Sequence, residues 1–173
     1  MSRITNIKLI QKAVGVKQDG KLGPVTRAAL SKFLAGDEKN HEGVVEGKAS
    51  SFADLQDVAA YKKAKARGLS DQQAFQVGDN GIGCYGDDTT NEDIPYVAIR
   101  PDDMIRFWGS AEDAKHQKVL VSIGLNQQLC VIGDRMPWAK NVKNGAVIDL
   151  APGAQKLFGL TPPFMVNCSW SKA

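Results

Sequence analysis

The residues best suited to chemistry in this sequence are aspartates that lie beside apolar residues. Asp149 follows Val147 and Ile148 and precedes Leu150. Apolar neighbours of this kind desolvate a carboxyl group and raise its pKa. A carboxyl group with a raised pKa can donate a proton as a general acid. The alternative role is structural, because an aspartate that leads into a helix also serves as an N-terminal charge or cap.

The cysteines and histidines show no spacing that is typical of a metal site or a catalytic group. Cys84, Cys130 and Cys168 have no Cys-x-x-Cys spacing, and neither His41 nor His116 has a nearby cysteine, so the sequence predicts no metal site and no cofactor. Three buried free thiols are expected, with one disulfide and a spare thiol as the alternative. His116 lies in a polar stretch and is expected to be exposed. The absence of a Cys-His or Ser-His-Asp arrangement disfavours a peptidase or amidase.

The charge of the chain is small and unevenly placed. The net charge is +3, from 22 basic and 19 acidic residues, and residues 1–50 carry nine of the basic and five of the acidic ones. A mild bias of this kind is expected to aid solubility, and the alternative is that the basic part faces an anionic polymer such as a cell wall. Nucleic acid is not expected as a partner, because no basic cluster is interleaved with aromatic residues.

Helical periodicity organises the start of the chain. Apolar residues recur at helical spacing from Ile4 to Gly15 and again from Pro24 to Leu34, which predicts a helical domain over residues 1–36. Residues 37–50 are polar and contain glycine, so they are predicted to form a linker.

Further along, helices give way to strands. Residues 51–76 are predicted to hold connecting helices, one over Phe52 to Arg67 with Ser50 or Ser51 as its cap, and a short one capped by Ser70. Residues 77–173 are predicted to form a small barrel of short strands. The predicted strands are 96–99, 104–108, 118–123, 129–132 and 146–150, followed by a helix over 152–158.

The N-terminal segment resembles the peptidoglycan-binding domain family, a three-helix module. The matching elements are Leu9, Gln11, Val14 to Val16, Asp19-Gly20, Leu22 to Pro24, Thr26, Ala29 and Phe33. The resemblance implies binding of peptidoglycan, with Leu22, Gly23, Pro24 and Thr26 at the ligand. A helical hairpin that packs on another surface is the alternative.

Residues 81–160 are similar to the double-psi β-barrel of the rare lipoprotein A family, which expansins and membrane-bound lytic transglycosylase A share. The matching blocks are Gly83 to Thr90, Pro95 to Ile99, Val131 to Pro137, Val147 to Ala154 and Leu157 to Leu160. The chain is therefore expected to be an α+β protein of two modules, a helical peptidoglycan-binding domain and a six-stranded double-psi β-barrel.

The second resemblance also implies a site. Asp134 lies where the lipoprotein family is thought to place an active-site aspartate, and Asp149 lies where expansins and the transglycosylase place their key acid. A hydrolase needs a second carboxylate, which Asp87, Asp88 or Glu92 could supply, although Asp87 and Asp88 could be plain turn residues. Asp134 could likewise only fix a turn.

Two departures from the lipoprotein pattern bear on the mechanism. Ala98-Ile99 stands where an Ala-His pair is expected, and Met136 replaces a glycine. These changes favour a site with one acid, as in an expansin or in a lytic transglycosylase. In a lytic transglycosylase the 6-hydroxyl of the sugar attacks the anomeric carbon.

Several residues are candidates for binding the glycan. Trp138 follows Pro137 in the expected site loop and offers an indole face to a pyranose ring. Trp108 and Trp170 are weaker candidates, and Trp108 is expected to belong to the core. The matched blocks add Tyr85, Thr89 and Arg135 as substrate-binding residues.

Together these features predict an enzyme that binds peptidoglycan and cleaves the bond between N-acetylmuramic acid and N-acetylglucosamine. A wall-binding protein without catalysis, similar to an expansin or a virion component, is the alternative. The first residues do not resemble a secretory signal and no run is long enough to span a membrane. Synthesis in the cytoplasm and delivery to the periplasm or wall, as a bacteriophage lysis or virion protein (an endolysin) or as an exported effector, is therefore expected. The sequence leaves the oligomeric state open.

Overall fold

The structure is a computed structural model that describes residues 7, 8, 11, 17–21, 23–27 and 43–173. It divides into two compact units, residues 1–43 and residues 44–173. In the first unit, residues 7, 8, 11 and 24–27 are helical. They fall within the two predicted helices, whose other residues lie outside the described part of the chain, as does Leu22.

Gln11 connects the described parts of the first unit. Its side chain is buried, and its Nε2 lies within hydrogen-bond distance of Asp19 Oδ1 (2.7 Å), the Lys21 carbonyl (3.0 Å) and Thr26 Oγ1 (3.0 Å). Its Oε1 accepts the Gly20 N–H at 2.9 Å. A buried amide with this many partners holds a turn in one conformation. The spacing of Gln11, Asp19-Gly20 and Thr26 therefore has a structural reason.

The second unit is a closed barrel of six strands. The strands are β1 (Val44–Ser51), β2 (Tyr96–Ile99), β3 (Lys118–Ile123), β4 (Asn126–Arg135), β5 (Ala146–Leu150) and β6 (Met165–Lys172), in the spatial order β1-β5-β2-β4-β3-β6. β1 and β5 pair in parallel, as do β2 and β4, and the other pairs are antiparallel. Shifting every strand number by three reproduces the same pairing, so the barrel consists of two interlocked halves. The predicted six-stranded barrel is confirmed.

Four helices and one 3₁₀ turn connect the strands. They are α1 (Leu55–Ala66), α2 (Asp71–Ala74), α3 (Pro101–Trp108), the 3₁₀ turn Ala139–Asn141 and α4 (Pro152–Phe158). α1 begins after Asp54, whose carboxylate accepts the N–H groups of Gln56 and Asp57. α2 begins with a capping box between Ser70 and Gln73, so the predicted cap at Ser70 is correct, as is the predicted helix over 152–158.

The barrel core consists of apolar side chains from all six strands. Trp170 is its largest buried side chain, and its Nε1 donates to the Val147 carbonyl at 3.2 Å. β5 is buried at four of its five positions, which is typical of a strand covered on both faces. The strand residues that form the core are Val45, Ala49, Val97, Ile99, Val119, Val121, Cys130, Ile132, Val147, Ile148, Leu150, Cys168 and Trp170.

The predicted linker over 37–50 is wrong for its last residues, because Val44–Ser51 is the first barrel strand. The barrel unit therefore begins at Val44 and not at residue 77. β1 gives little local signal, since only Val45 and Ala49 are buried in it. Gly47 lies against Val147, where an added Cβ would be 2.4 Å from a side-chain carbon. Pairing with β5 and β6, and not hydrophobic periodicity, makes this segment a strand.

Other predicted elements also need correction. Residues 104–108 belong to α3 and not to a strand, because Pro101 opens a helix and Asp102 and Asp103 suit its first turn. Ser50 and Ser51 lie in β1, so the cap of α1 is Asp54. Leu55 of that helix is 85% exposed. β6 has no predicted counterpart.

A close backbone approach joins the loop before β2 to β4. A Cβ added to Gly83 would lie 2.2 Å from the Gly133 carbonyl oxygen. We expect Gly83→Ala to lower the free energy of unfolding by about 2 kcal/mol, because the loop or β4 must move. Urea unfolding measures the loss. Gly43→Ala is the control, since its added Cβ meets nothing within 4 Å; equal midpoints for the two variants would contradict the contact.

Candidate functional site

Four residues on four neighbouring strands form one row. Ser50 on β1 pairs in register with Asp149 on β5, Asp149 pairs with Ala98 on β2, and Ala98 pairs with Asp134 on β4. Residues paired in this way lie on the same face of a sheet, about 5 Å apart from strand to strand. The two aspartates therefore flank Ala98, with Cα atoms about 10 Å apart. We call Ser50, Asp149, Ala98 and Asp134 the acid row.

Asp149 is the most perturbed carboxyl group in the acid row. Its pKa is raised to about 6, chiefly by burial and in smaller part by the charges of Asp134 and Asp57, while the hydrogen bond from Ser50 opposes the shift. The Ser50 hydroxyl donates to Asp149 Oδ1. A carboxyl group of this pKa keeps a substantial protonated fraction in weakly acidic solution, as a general acid requires.

Asp134 is held by the backbone. Its Oδ1 accepts the N–H of Cys84 at 2.8 Å and the N–H of Arg135 at 2.7 Å. The first bond depends on the approach of Gly83 to Gly133, since Cys84 follows directly. Asp134 is therefore fixed in direction before any ligand arrives.

Two more aspartates face the acid row from outside the barrel. Burial raises the pKa of Asp57 on α1 to about 6, helped by the charges of Asp54 and Asp79. Burial also raises the pKa of Asp79, against a 2.7 Å hydrogen bond from the Gly81 N–H. Gly78 allows this proximity, because an added Cβ would be 2.2 Å from the Asp57 carbonyl oxygen.

Three adjacent cavities join at the acid row and form one groove. The central cavity, of about 420 Å³, is lined by Asp57, Asp79, Asp134 and Asp149 and by Ala98. A second cavity of about 340 Å³ shares Asp149 with it and is lined by Ser50, Met136, Pro137, Asn141 to Asn144 and Ala146; we call it the polar arm. A third, of about 590 Å³, shares Asp79 and Asp134 and is lined by Phe75, Ile82, Cys84, Pro101, Arg135 to Pro137 and Trp138; we call it the aromatic arm.

The aromatic arm carries exposed rings. Trp138 is 46% exposed and Phe75 is 49% exposed. Phe75 packs on Tyr61 of α1 with ring centroids 4.9 Å apart. This contact with the helix holds the Phe75 ring in position. Flat apolar surface beside charged groups suits a ligand that is polar at its edges and apolar on its faces, such as a pyranose.

Three of the predicted acids lie outside the groove. Asp87 contacts His116 Nε2 at 2.7 Å and accepts the Tyr96 hydroxyl at 3.3 Å. Asp88 accepts both the N–H and the hydroxyl of Thr90 in a turn. Glu92 forms an exposed ion pair with Lys156 at 3.2 Å. None of these three lines the three cavities of the groove.

Of the predicted glycan-binding residues in the barrel, some line the groove and others are packed in the protein interior. Trp138 and Arg135 line the groove. The Tyr85 ring packs against the core and its hydroxyl donates to the Ala111 carbonyl, while Thr89 is fully buried. Trp170 is in the core, and Trp108 is partly buried against it.

In the first unit, Thr26 is 4% exposed and bonded to Gln11, so its hydroxyl stabilises the turn. Pro24 and Val25 are exposed and Gly23 is half-buried. Residues 23–25 therefore contribute exposed surface beside the start of the second helix.

The cysteines follow the prediction only in part. All three cysteines are free; Cys130 and Cys168 are buried, whereas Cys84 is exposed and not buried as expected. Burial raises the pKa of Cys130 and of Cys168 to about 12, which leaves both thiols protonated. His116 is exposed, as predicted. Among the described residues there is no group of three or more metal-ligating side chains, and none of their helices could cross a membrane.

Asp57, Asp79 and Ser50 are site residues that the sequence analysis missed. Asp57 lies on a helix that has no distinct apolar face. Asp79 lies between Gly78 and Asn80, as a turn residue would. Ser50 was expected to cap a helix. The one usable signal is Gly78, since a glycine that lies outside a tight turn indicates a close backbone approach.

Comparisons with known proteins add little to this geometry. No protein-family model and no curated protein matches the chain. Among solved structures, the Streptomyces papain inhibitor is 17% identical with a TM-score of 0.42, over 74% of this chain and 92% of that one.

Two structures of a Clavibacter michiganensis expansin are similar at the same level. The apo form is 14% identical with a TM-score of 0.45, and a mutant in complex with cellohexaose is 13% identical with a TM-score of 0.43. Each covers 75% of this chain and 50% of the expansin chain, so this chain spans about half of that protein.

The half-buried carboxyl of Asp149, with its raised pKa, leads to a prediction about stability. Because its pKa is about 6 when folded and 3.8 in the reference state, the folded protein holds a proton that the unfolded chain releases between about pH 4 and pH 6. The wild type therefore loses stability as the pH rises through this window. We expect Asp149→Asn to become more stable relative to wild type by about 2 kcal/mol between pH 4 and pH 7.

Urea unfolding at several pH values measures this difference. Asp93→Asn, an exposed position outside the groove, is the control and should show a difference that does not change with pH. A pH-independent difference for Asp149→Asn as well would contradict the assigned burial.

Proposed function

We propose that the barrel unit binds a bacterial cell-wall glycan strand along the groove and cleaves it, with Asp149 as the general acid. The observation that carries the proposal is a carboxyl group with a pKa of about 6 in the middle of an open groove that has exposed rings at one end. A glycan strand is long, polar at its edges and apolar on its ring faces, so it matches a groove that continues past the acid on both sides.

The proposed reaction is that of a lytic transglycosylase. Asp149 donates its proton to the glycosidic oxygen as the bond from that oxygen to C1 of N-acetylmuramic acid breaks. The 6-hydroxyl of the same sugar bonds to C1, and its proton passes to the Asp149 carboxylate. The products are a 1,6-anhydro end and a free 4-hydroxyl, and the acid is restored without a second catalytic group.

The rest of the acid row supports this role. The Ser50 hydroxyl holds one oxygen of Asp149 and so directs the other towards the ligand. Ala98 lies between the two aspartates and lines the central cavity, and its small methyl side chain leaves room for a sugar ring to come close. The charge of Asp134 contributes to the raised pKa of Asp149 and its fixed oxygens can accept hydrogen bonds from sugar hydroxyls.

Binding without cleavage is the second candidate. Ile99, which stands where the lipoprotein family has a histidine, is fully buried in the barrel core, and the described histidine, His116, is bonded to Asp87 away from the groove. No imidazole of the described residues therefore assists Asp149, and an expansin-like wall-binding barrel fits the same groove.

The two candidates differ in the products that they predict. We expect purified peptidoglycan treated with wild type to release anhydro-muropeptides, seen by mass spectrometry, and Asp149→Asn to lower their yield at least a hundredfold, because the proton donor is lost. Asp93→Asn is the control and should cleave like wild type.

Other products would change the assignment. Reducing ends in place of anhydro ends would indicate a hydrolase that uses Asp134 or Asp57 as the second carboxylate. If wild type releases nothing but still pellets with the walls, cleavage is excluded and the binding candidate stands.

We further propose that residues 1–43 hold the protein on peptidoglycan. The support is the exposed surface at residues 23–25, which the buried Gln11 network keeps in place. Gln11→Leu in the full chain removes these hydrogen bonds, leaving the Gly20 N–H without its acceptor and the Thr26 hydroxyl with the Lys21 carbonyl alone, so we expect at least tenfold weaker pelleting with walls. Gln18→Leu, an exposed change in the same segment, should pellet like wild type, and equal pelleting by both variants would contradict this role.

A further inference from the structure

The polar arm of the groove combines amide side chains with an apolar floor. Met136 and Ala146 are buried members of the small apolar cluster on which Val142 packs, and all three line the arm. The asparagines among the residues that line the three cavities, Asn141 and Asn144, also lie in this arm. The arm therefore suits a small substituent that is apolar at one end and polar at the other.

Asn144 offers a hydrogen-bond donor whose direction is set in advance. Its Oδ1 accepts the Ala146 N–H at 3.0 Å, which fixes the side chain and leaves Nδ2 to make another bond. Within the described part of the chain, Nδ2 donates to no acceptor. Asn141 has no side-chain hydrogen bond to the described residues, so its amide is not oriented in this way. A donor that is already in place binds an acceptor at a lower entropic cost.

The segment around Asn144 is held at both ends. At one end, the N–H of Ala139 donates to Asp102 Oδ2 at 2.7 Å. At the other end, Ala146 begins β5 and pairs with Lys48 of β1. The polar arm is therefore formed before a ligand arrives.

The position of the polar arm decides which part of a glycan reaches it. Asp149 lies at its inner end, where it is shared with the central cavity. A sugar whose glycosidic bond lies at Asp149 has its C2 substituent beside that bond, because C2 adjoins C1. A hydroxyl at C2 stays close to the ring. An acetamido group extends farther and carries a carbonyl oxygen and a methyl group, which are the partners that an amide donor and an apolar floor require.

We infer that the polar arm recognises the 2-acetamido group of the sugar at Asp149, with Asn144 Nδ2 donating to its carbonyl oxygen and its methyl group packed on Met136 and Val142. This inference deepens the proposed function and rests on it. Both sugars of peptidoglycan carry this group, whereas a glucose polymer has only a hydroxyl at C2. A ligand without the acetamido group leaves the donor and the apolar floor without a partner, and sites built to bond a substituent reject ligands that lack it. The groove thus selects N-acetylated strands.

Binding of two matched hexasaccharides to the full chain tests the inference. Chitohexaose and cellohexaose have the same length and the same β-1,4 linkage and differ only at C2. Titration calorimetry is done in the Asp149→Asn background, so that no cleavage occurs. We expect chitohexaose to bind at least tenfold more tightly than cellohexaose.

Asn144→Asp isolates the donor. The aspartate keeps an oxygen for the Ala146 N–H and replaces Nδ2 by a second oxygen, so the loop stays in place while the bond to the acetamido carbonyl is lost. We expect chitohexaose to bind at least fivefold more weakly to this variant, with its affinity for cellohexaose unchanged.

Asn91→Asp is the matched control, because Asn91 Oδ1 accepts the Asp93 N–H at 2.9 Å in the same way and Asn91 lies outside the three cavities. It should keep the preference for chitohexaose. Equal affinity for the two hexasaccharides, or no effect of Asn144→Asp, would overturn the inference while glycan binding stands. Failure to bind either hexasaccharide would overturn the proposed function as well.

Discussion

The site depends on one residue, Ala98, which pairs in register with a strand on each of its two sides. β2 is only four residues long, yet it lies between β4 and β5, and Ala98 pairs with Asp134 on one and Asp149 on the other. The two aspartates are fifteen residues apart in the sequence but are on the same face because of the ladder bonds of this strand. A slip of one residue in either ladder would place one aspartate on the face opposite to the other, so the register of β2 with both neighbours is the constraint that the chemistry requires.

Burial of several carboxyl groups around one cavity gives the site its acidity. Each of Asp57, Asp79 and Asp149 has a raised pKa, with burial as the largest cause and neighbouring aspartates as a further one. Such a cluster destabilises the folded barrel when it is ionised, and the well-packed core opposite it must offset the loss. Strain of this kind at a cluster of titratable groups is a mark of functional sites.

Elements that local sequence patterns determine could be predicted, whereas elements that depend on tertiary contacts could not. Strands 96–99, 118–123 and 146–150 were predictable because each is a short apolar run between turn residues. β1 was not, since its polar residues gain partners only when β5 and β6 arrive. Asp149 was predicted from the family resemblance of its block, with its apolar neighbours in support. Asp57 and Asp79 reach it through the contact of Gly78 with α1, which no spacing along the chain records.

The closure of the barrel by β1 has a consequence for how the chain is made. Its partners, β5 and β6, begin about a hundred residues later. On the ribosome, Val44–Ser51 therefore stays unpaired until β5 and β6 have emerged, and contacts this distant in sequence slow folding. The serine that bonds to Asp149 is in that same strand, so the acid acquires its final surroundings only in the last step of assembly, and a nascent chain that stalls before β5 carries no site.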